Sequence, residues 1–399
     1  AREMGRQHGE ALRSSIRDVM DRYEAFLGER GMTLVELPEA TNKLLRLFDP
    51  ATLEELEGIA EAIDIPHKHL LAYNLDAALF PRWVSGCTQS VRLARANGGA
   101  LLHVVNEDSP LLLHLGGLYP RVVQIRRRTD GPRPDRETVF FSVAGQVACP
   151  NGVTEDGLTV TSTTLLDGRE TSGIPNGLPH PQIVKQVLES ADSIEQALEI
   201  VRSARRSGRW SVLVSDARED RAHYLEYDDG AVIFDEPCAH TLTTTNHSLR
   251  GPATGCTAPE HSVHRRARAE MLLGTSAVGI DDAKRILRDR HDLGRGRDVV
   301  HATMNTIRRV DNVMSLVVEP EARRFHVTDR VRVPGAAGDD DSEWVTIHYG
   351  NAPTIRRREP SMTHEYGQTR PSGTAPTSFN LHGSLARLES LTNFGRDGC

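Results

Sequence analysis

A chain of 399 residues with a formal net charge of −7 lacks the basic surface that nucleic-acid-binding proteins usually present. Only 38% of its residues are hydrophobic, but a chain of this length can still bury a sizeable core, and large layered α/β folds reach this size as one unit. No apolar run approaches the ~18 residues of a membrane helix, and the polar start of the chain is not typical of a signal peptide.

Residues 1–86 are predicted to be mostly helical, because apolar residues recur there at near-helical spacing. One helix should follow the start signal Asp49-Pro50 and include residues 53–62. Another is expected over residues 67–74 and would deliver the chain to Cys87.

After Cys87 the sequence alternates as strands do, and the runs 90–93 and 100–105 flank Asn97-Gly98-Gly99, a strong hairpin signal. Further strands are expected at 122–126, 138–143, 158–164, 210–215, 222–227, 231–234, 240–245, 314–318 and 324–327. Helices are expected at 181–202, 261–273 and 281–289. Arg126-Arg127-Arg128, with Arg133 and Arg136, is expected at a solvated hairpin tip, and a docking patch is the alternative. This order favours antiparallel sheets covered by helices over a parallel βαβ array. Residues 334–399 are rich in Gly, Pro and Ser and are expected to form an extended tail or wrap.

The cysteines are sparse, odd in number and without CxxC spacing, which indicates neither a disulfide framework nor a zinc site. They are Cys87, Cys149, Cys238, Cys256 and Cys399. We therefore expect a reducing, cytoplasmic compartment and no metal. His261 and His264 lie at helical spacing without an acidic partner after them, and the chain has no P-loop, no GxGxxG after a strand and no HExxH. Nucleotide-dependent and metallohydrolase functions therefore lack support.

Gly86-Cys87-Thr88 stands where helical spacing gives way to strand-like alternation. Glycine leaves its carbonyl open to attack by the following thiol, as an N-to-S acyl shift requires, and a cysteine that opens an edge strand would have an accessible thiol. Cleavage between Gly86 and Cys87 would free a residue carrying both a thiol and an α-amine, which could serve as nucleophile and base at once. The alternative is a small buried structural cysteine.

Two polar stretches end predicted strands. Pairing across the first hairpin could place Asn106 or Asp108 beside the thiol, where a carboxylate could hold the ammonium form of the α-amine. Asn246-His247 ends a run of threonines, and an Asn246 N–H could face the oxyanion of a tetrahedral intermediate. The alternatives are a plain turn for the first stretch and a capped strand end for the second.

These motifs resemble the acyl-coenzyme A:6-aminopenicillanic acid acyltransferase family, a branch of the N-terminal nucleophile (Ntn) hydrolases. The stretches that carry the resemblance occur in the family's order along most of the chain: Gly5-Arg6-Gln7-His8-Gly9-Glu10, Leu56-Glu57-Gly58-Ile59-Ala60-Glu61, Gly86-Cys87-Thr88, Val105-Asn106-Glu107-Asp108 and Thr245-Asn246-His247. Val105 stands where relatives such as bile-salt hydrolases carry arginine, and Thr154 replaces the asparagine of the family's "G-x-N-x-x-GL" segment. Both departures bear on the substrate rather than on the nucleophile.

The resemblance implies an α+β fold, a four-layer αββα sandwich with antiparallel sheets, made from one precursor. Its parts would be an α chain over residues 1–86, a β chain over 87–333 and a C-terminal extension over 334–399. The resemblance further implies that Cys87 attacks an amide or thioester carbonyl and forms an acyl-enzyme. Asn246 would supply an oxyanion donor and Asp108 would support the α-amine, with Asn106, His247 and Thr154 in supporting positions.

We therefore expect a self-processing amidohydrolase or acyltransferase that passes an acyl group from Cys87 to water or an amine. Its partners would be a small-molecule acyl donor and acceptor, with no nucleic acid and no membrane. No cofactor is expected, and acyl-CoA would enter only as a substrate. Cleavage would give an α/β heterodimer, and further oligomerisation stays open. The alternatives are a strictly acyl-CoA-dependent N-acyltransferase of natural-product biosynthesis and a non-catalytic binding protein on the same scaffold.

Overall fold

The computed structural model describes residues 1–36, 44–79, 86–109, 121–129, 131–168, 177–274, 276–329 and 344–350. Its helices in these ranges are α1 (Arg2–Ala11), α2 (Arg13–Gly28), α3 (Pro50–Ile63), α4 (His67–Tyr73), α5 (Asp76–Leu79), α6 (His180–Ser190), α7 (Ile194–Ser203), α8 (Glu260–Leu273) and α9 (Ile280–Leu287). No described helix is long and apolar enough to cross a membrane.

The strands form two large antiparallel sheets and one small ribbon. A six-stranded sheet has the order β10 (Thr241–Thr244), β1 (Gly86–Arg92), β2 (Leu102–Asp108), β13 (Asn312–Glu319), β14 (Arg324–Asp329) and β15 (Val345–His348). A seven-stranded sheet runs in chain order through β3 (Arg121–Arg127), β4 (Glu137–Val143), β5 (Asn151–Thr154), β6 (Leu158–Thr164), β7 (Trp210–Asp216), β8 (Arg221–Tyr227) and β9 (Val232–Pro237). The ribbon pairs β11 (His291–Asp292) with β12 (Arg297–Asp298).

An apolar layer separates the two large sheets. Val105 and Phe325 of the six-stranded sheet pack there against Val139 and Phe141 of the seven-stranded sheet, and the rings of Phe141 and Phe325 meet edge to face with their centroids 4.8 Å apart. Because successive strand side chains point to opposite faces, Phe140 points the other way, into the cluster formed by the helices.

Helices cover the outer faces of both sheets. Residues of α2 to α4, α6 and α7 form one large cluster with the outer face of the seven-stranded sheet. Residues of α8 and α9, such as Ala269 and Leu287, pack on Leu102, Val104 and Val317 of the six-stranded sheet. The layers therefore run helix, sheet, sheet, helix, and the predicted αββα sandwich is confirmed.

Two glycines of the family-like stretches explain how α1 and α3 pack. A Cβ on Gly5 would overlap the backbone carbonyl of Glu55, and a Cβ on Gly58 would overlap that of Arg2. The backbones of the two helices can therefore be in direct contact because both positions are glycine. At the start of α3, the Asp49 side chain accepts the Thr52 N–H at 3.0 Å, as the start signal predicted.

The helix predicted over residues 181–202 is in fact two helices. α6 ends at Ser190, and the Ser193 side chain caps α7 by accepting the Gln196 N–H. Arg136 donates to the Ala191 carbonyl at 2.6 Å and so satisfies an acceptor at the end of α6. The Ser193 cap and the buried Arg136 therefore divide the segment into two helices, whereas its helical spacing alone predicted one.

Four strands lie where none was expected, namely β5, β15 and the two short strands of the β11–β12 ribbon. β5 pairs with β4 and β6. β15 pairs with β14 and extends the six-stranded sheet beyond residue 333, the boundary expected for the tail. Residues 334–343 and 351–399 lie outside the described residues. Cys87, Cys149 and Cys238 are free thiols, whereas Cys256 is disulfide-bonded, against the expectation of wholly reduced cysteines.

The helical layer is tied to the seven-stranded sheet by a buried ion-pair cluster. Arg126 of β3 makes a two-bond pair with Glu55 of α3, at 2.6 and 2.7 Å, and a third bond with Glu189 of α6 at 3.2 Å. Lys185 donates to Glu189 at 2.6 Å, and all four side chains are nearly or fully buried. The prediction of a solvated hairpin tip is therefore wrong for Arg126, which instead joins three elements.

Candidate active site

The candidate nucleophile lies at the start of β1, which is an interior strand of the six-stranded sheet because β10 pairs on its other side. The expectation of an edge strand with an accessible thiol is therefore wrong, and Cys87 is only 6% exposed. Across the β1–β2 pair, Gly86 lies opposite Asp108, Cys87 opposite Glu107 and Thr88 opposite Asn106. Strand alternation therefore places Cys87 and Glu107 on the face that looks towards the other sheet. Asp108 lies on the opposite face, beneath α8.

The backbone N–H of Cys87 is hydrogen-bonded by a side chain rather than by a neighbouring strand. β10 pairs with β1 only from Gln89 onward, and beyond its end the Oδ1 atom of Asn246 accepts the Cys87 N–H at 3.2 Å. The strand-end asparagine expected near the thiol thus lies beside the nucleophile. Its contact is with the nitrogen that cleavage would turn into an α-amine.

The orientation of the Asn246 amide is fixed by its neighbours. Two donors, the Cys87 N–H and Nη2 of Arg265 at 2.6 Å, require the oxygen on one side. On the other side the amide nitrogen donates to the Thr163 hydroxyl at 2.8 Å and to the Thr164 carbonyl at 3.0 Å. Both N–H groups are therefore engaged, so this geometry differs from the expected free oxyanion donor: Asn246 here accepts from Cys87.

Arg265 of α8 is a site residue that the sequence analysis did not identify. Its Nη1 donates to the Cys87 carbonyl and to the Thr88 hydroxyl, both at 2.8 Å, while its Nη2 holds Asn246. The side chain is fully buried, and burial lowers its pKa to about 10. Because one planar guanidinium binds three acceptors around Cys87, it fixes the backbone of the nucleophile.

Arg309 is the second guanidinium that the sequence analysis missed. It is held by a two-bond pair with Asp311, at 2.8 and 2.5 Å, and its side chain is only 1% exposed. A Cβ on Gly86 would lie 2.6 Å from its Cζ atom, so glycine is what allows the guanidinium to rest against the Gly86 backbone. Its Nη1 has no hydrogen-bond partner among the described residues.

Asp108 lies between these two arginines. Its Oδ2 is 3.6 Å from Nε of Arg309 and 3.9 Å from Nη1 of Arg265, and its Oδ1 accepts from the Asn312 amide at 3.0 Å. Burial raises the pKa of Asp108 to about 7, and the two guanidinium groups oppose that rise. Asp108 thus lies opposite Gly86 in the sheet, but its side chain is not on the face of the Cys87 thiol.

The Cys87 thiol is buried. Burial, together with the nearby charges of Asp108 and Glu107, raises its pKa to about 12, although hydrogen bonds from the Thr163 hydroxyl and the Asp108 backbone lower it. In the uncut chain the thiol is therefore protonated at neutral pH. It lines a cavity between the sheets together with Asp76, Ala77, Glu107, Ser109, Val143, Gln146, Pro150, Ser162, Thr164, His180, Pro181 and Trp210.

Other expected site residues have structural contacts. Asn106 donates to the Leu287 and Ile307 carbonyls, at 2.8 and 2.9 Å, and so faces the helical layer away from the thiol. Thr154 accepts the Leu158 N–H at 3.2 Å and closes the β5–β6 turn, outside the cavity lining. The geometry therefore does not bring Asn106 or Thr154 to the nucleophile.

His247 and its neighbours brace the segment that carries Asn246. The His247 ring contacts the Ser262 hydroxyl at 2.8 Å, the same hydroxyl accepts the Asn246 backbone N–H at 2.7 Å, and burial lowers the pKa of His247 to about 4. One residue further, the Asp167 carboxylate accepts the Ser248 N–H at 2.7 Å. A neutral histidine and buried hydrogen bonds thus hold Asn246 against Cys87.

One of the missed residues leaves a signal in the sequence. The buried positions of α8 are Ser262, Arg265, Ala269 and Leu273, which follow helical spacing. An arginine on the apolar stripe of a helix indicates a buried functional or structural charge. Arg309 precedes β13 in an irregular segment, and no periodicity marks it. Within the described ranges, no three His, Cys, Asp or Glu side chains come together as a metal site.

Comparison with known proteins gives one family match. Residues 134–328 match the family described as "Acyl-coenzyme A:6-aminopenicillanic acid acyl-transferase". The matched range includes Asn246, Arg265 and Arg309 and begins after Cys87 and Asp108. Among curated proteins, no sequence matches the chain significantly.

Three solved structures are similar to this chain at low sequence identity. A Caenorhabditis elegans N-acylethanolamine-hydrolyzing acid amidase ortholog is 15% identical over 59% of this chain and 93% of its own, with a TM-score of 0.41. Penicillin V acylase from Agrobacterium tumefaciens is 13% identical over 62% and 84%, with a TM-score of 0.40. A mutant conjugated bile acid hydrolase from Clostridium perfringens is 10% identical over 68% and 99%, with a TM-score of 0.39. Such distant similarities transfer no substrate to this chain. The family match over residues 134–328 confirms the resemblance that the sequence motifs indicated.

Proposed function

We propose that the protein is a self-processing amidohydrolase or acyltransferase whose nucleophile is Cys87. The observation that carries the proposal is the setting of the Gly86–Cys87 peptide. A guanidinium rests against Gly86, an asparagine oxygen accepts the Cys87 N–H at 3.2 Å, and the thiol lines a cavity. A purely structural cysteine would need neither the cavity nor two buried arginines around its backbone.

Cleavage would proceed through a thioester. Sγ of Cys87 attacks the Gly86 carbonyl carbon, the thiol proton passes to the Cys87 nitrogen, and the C–N bond breaks as the thioester forms. Water then hydrolyses the thioester to a Gly86 carboxylate and a free Cys87 amine and thiol. The negative charge that develops on the Gly86 oxygen would be stabilised by Arg309, because its unpartnered Nη1 lies against Gly86.

Cleavage would also activate the nucleophile. The high pKa of the thiol in the uncut chain, about 12, permits only slow attack, which suffices for a single event. Cleavage replaces a neutral amide nitrogen by an amine with a reference pKa of about 7.7–8.0. The amine can take the thiol proton, and its positive charge then lowers the thiol pKa. Asn246 Oδ1, which accepts from this nitrogen in the uncut chain, would orient the amine.

Turnover would use the same groups on an external substrate. The Cys87 thiol attacks an amide or thioester carbonyl, the α-amine takes its proton and returns it to the leaving group, and an acyl-Cys87 thioester results. Water or an amine then takes the acyl group. Nucleophile and base would both belong to one residue, so no cofactor enters this scheme, and acyl-CoA would serve as an acyl donor.

The two cleavage products would stay associated. α2 to α4 share a buried cluster with the outer face of the seven-stranded sheet, and the Glu55–Arg126 pair joins residues from either side of the cut. Breaking a buried charge pair of this kind typically costs about 3–5 kcal/mol. We therefore propose a non-covalent α/β heterodimer.

Acyl-enzyme trapping tests the proposed function. The protein is incubated with amide and thioester acyl donors, and the fragment that starts at Cys87 is weighed by mass spectrometry. We expect an acyl adduct on wild type and on Cys238→Ala, which removes another free buried thiol, and no adduct on Cys87→Ala. Turnover that survives in Cys87→Ala would contradict the assignment of the nucleophile.

A further inference from the structure

Two buried polar atoms in the wall of the Cys87 cavity have no hydrogen-bond partner among the described residues. They are Oγ1 of Thr164 and Nδ1 of His180, which belong to residues that are 4% and 3% exposed. Buried polar groups are hydrogen-bonded in the great majority of cases, so each exception has a specific reason. Because both residues line the cavity, a molecule bound there can supply the missing partners.

The neighbouring hydroxyls of β6 are hydrogen-bonded within the protein. Ser162, which lines the same cavity, donates to the Pro150 carbonyl at 2.8 Å. The Thr163 hydroxyl accepts from the Asn246 amide at 2.8 Å. The Thr164 hydroxyl differs from both. Valine has nearly the same shape and would avoid the cost of burying an unpaired hydroxyl, which favours a functional reason for threonine at this position.

The two unpartnered atoms lie in one corner of the cavity. Thr164 ends β6 and lies directly opposite Trp210 of β7, and side chains in such pairs have Cβ atoms about 4.5–5.5 Å apart. The Trp210 ring in turn stacks on the His180 ring, with centroids 3.6 Å apart. Trp210 therefore contacts both side chains and brings their polar atoms together.

The chemistry of the two atoms selects a neutral ligand group. Burial holds the pKa of His180 well below its usual value, so the ring is neutral, and its Nδ1 donates or accepts according to the tautomer. The Thr164 hydroxyl can do both. An ionic group would lose hydration without gaining a counter-charge from either atom. A hydroxyl is the smallest group that can donate to one of these atoms while it accepts from the other.

We infer that this corner of the cavity binds a hydroxyl group of the substrate through Oγ1 of Thr164 and Nδ1 of His180. The inference rests on the proposed function for the identity of the reacting thiol. The Thr164 carbonyl accepts from the Asn246 amide at 3.0 Å, and the oxygen of the same amide accepts the Cys87 N–H at 3.2 Å. The bound hydroxyl is therefore close to the nucleophile, and the substrate is an amide or thioester with a hydroxyl near its carbonyl. A plain alkanoyl chain would leave both polar atoms unpaired, and the cavity disfavours it.

Binding of simple probes tests the inference without requiring turnover. The protein as purified is titrated with 1-butanol and with 1-fluorobutane, which has a similar shape but no hydroxyl, and binding is followed by ligand-observed NMR. We expect 1-butanol to bind about 10-fold more tightly, which corresponds to about 1.4 kcal/mol. Thr164→Val and His180→Phe should each reduce this preference. Thr159→Val is the matched control and should keep it, because the Thr159 hydroxyl is likewise buried and unpartnered among the described residues but lies outside the cavity lining.

Thermal unfolding of the ligand-free proteins gives a second readout. Thr164→Val removes a hydroxyl that has no partner, so its melting temperature should not fall below that of wild type. A lower melting temperature would contradict the inference, because it would show that the hydroxyl is already paired within the protein.

Equal affinities of the two probes for wild type would overturn the inference, as would no saturable binding of either probe or an unchanged preference in both cavity variants. Intact mass of the same samples reports separately on the proposed function. An uncut wild-type chain that still prefers 1-butanol keeps the hydroxyl site and refutes self-processing. A cut chain without the preference refutes only the hydroxyl site.

Discussion

Alanine at position 86 would place a methyl group against the guanidinium of Arg309. The added Cβ would lie 2.6 Å from Cζ, well inside the contact distance of two carbon atoms. Arg309 cannot swing aside freely, because two of its nitrogens are held by Asp311 at 2.8 and 2.5 Å and its side chain is 1% exposed. Either the start of β1 moves or the buried ion pair breaks.

The cost of these two alternatives determines how much Gly86→Ala should lower the free energy of unfolding. Overpacking of a buried site costs about 1–3 kcal/mol, and loss of a buried pair costs about 3–5 kcal/mol, so the cheaper backbone shift should prevail. We expect Gly86→Ala to lower the free energy of unfolding by about 1–3 kcal/mol. A shift of about 1 Å at a reacting group can cost about 10²-fold in rate, so self-cleavage should slow by about that factor.

Stability is measured by urea unfolding in the Cys87→Ala background, where both chains compared are uncut, and cleavage is followed by mass spectrometry in the Cys87 background. Gly28→Ala is the matched control, since it lies at the end of α2 with nothing within 4 Å of an added Cβ. It should change stability by no more than about 1 kcal/mol and leave cleavage unchanged. Wild-type stability and a wild-type cleavage rate in Gly86→Ala would refute the close packing of Arg309 on this peptide.

Three more substitutions test other parts of the account. Arg265→Met leaves buried acceptors without a hydrogen-bond donor, so it should lower the free energy of unfolding, measured in urea, by about 2–5 kcal/mol. The partly exposed neighbour is the control, and Arg266→Met should change this free energy by about 0.5 kcal/mol or less. Arg126→Met should lower the free energy of unfolding by about 3–5 kcal/mol, and its 1–86 fragment should dissociate more readily on gel filtration in mild urea. The adjacent Arg127 is 50% exposed, so Arg127→Met should cause neither change. Burial raises the pKa of Asp76 from 3.8 to about 7, so between these values the folded state binds more protons than the unfolded state and stability falls as pH rises. Asp76→Asn should remove this fall. The free energy of unfolding of the variant minus that of the wild type should therefore be at least about 2 kcal/mol larger at pH 8 than at pH 4. Equal pH profiles of the two proteins would contradict this reasoning.

The sequence was sufficient to predict the order of elements around the nucleophile. Alternation after Cys87 and the turn signal at Asn97-Gly98-Gly99 predicted the β1–β2 hairpin, and the pairing brings Asp108 opposite Gly86. Asn246 was expected at the reacting centre as an oxyanion donor; it lies beside Cys87, but it accepts the Cys87 N–H through its side-chain oxygen. Local sequence pattern determines these features, and it can be read from residue order.

The charged surroundings of the nucleophile could not be predicted in the same way. Arg265, Arg309 and Arg126 are buried, whereas arginines in a sequence are expected at the surface unless partners are known. Their partners are distant in the chain, as with Glu55 and Arg126, so only tertiary packing brings them together. The position of Glu107 opposite Cys87 was missed for a related reason, since the pairing register decides which residue of the Asn106-Glu107-Asp108 triplet shares the face of the thiol.

The central claim is that the chain cuts itself between Gly86 and Cys87, and an intact mass spectrum under denaturing conditions tests it most directly. The account predicts two fragments that meet at Gly86 and Cys87, with masses that sum to the chain plus one water. The second fragment should form a thiazolidine with an aldehyde, as a free N-terminal cysteine does, and Cys87→Ala should give one uncut mass. A single full-length mass for the wild-type protein, equal in form to that of Cys87→Ala, would contradict the claim.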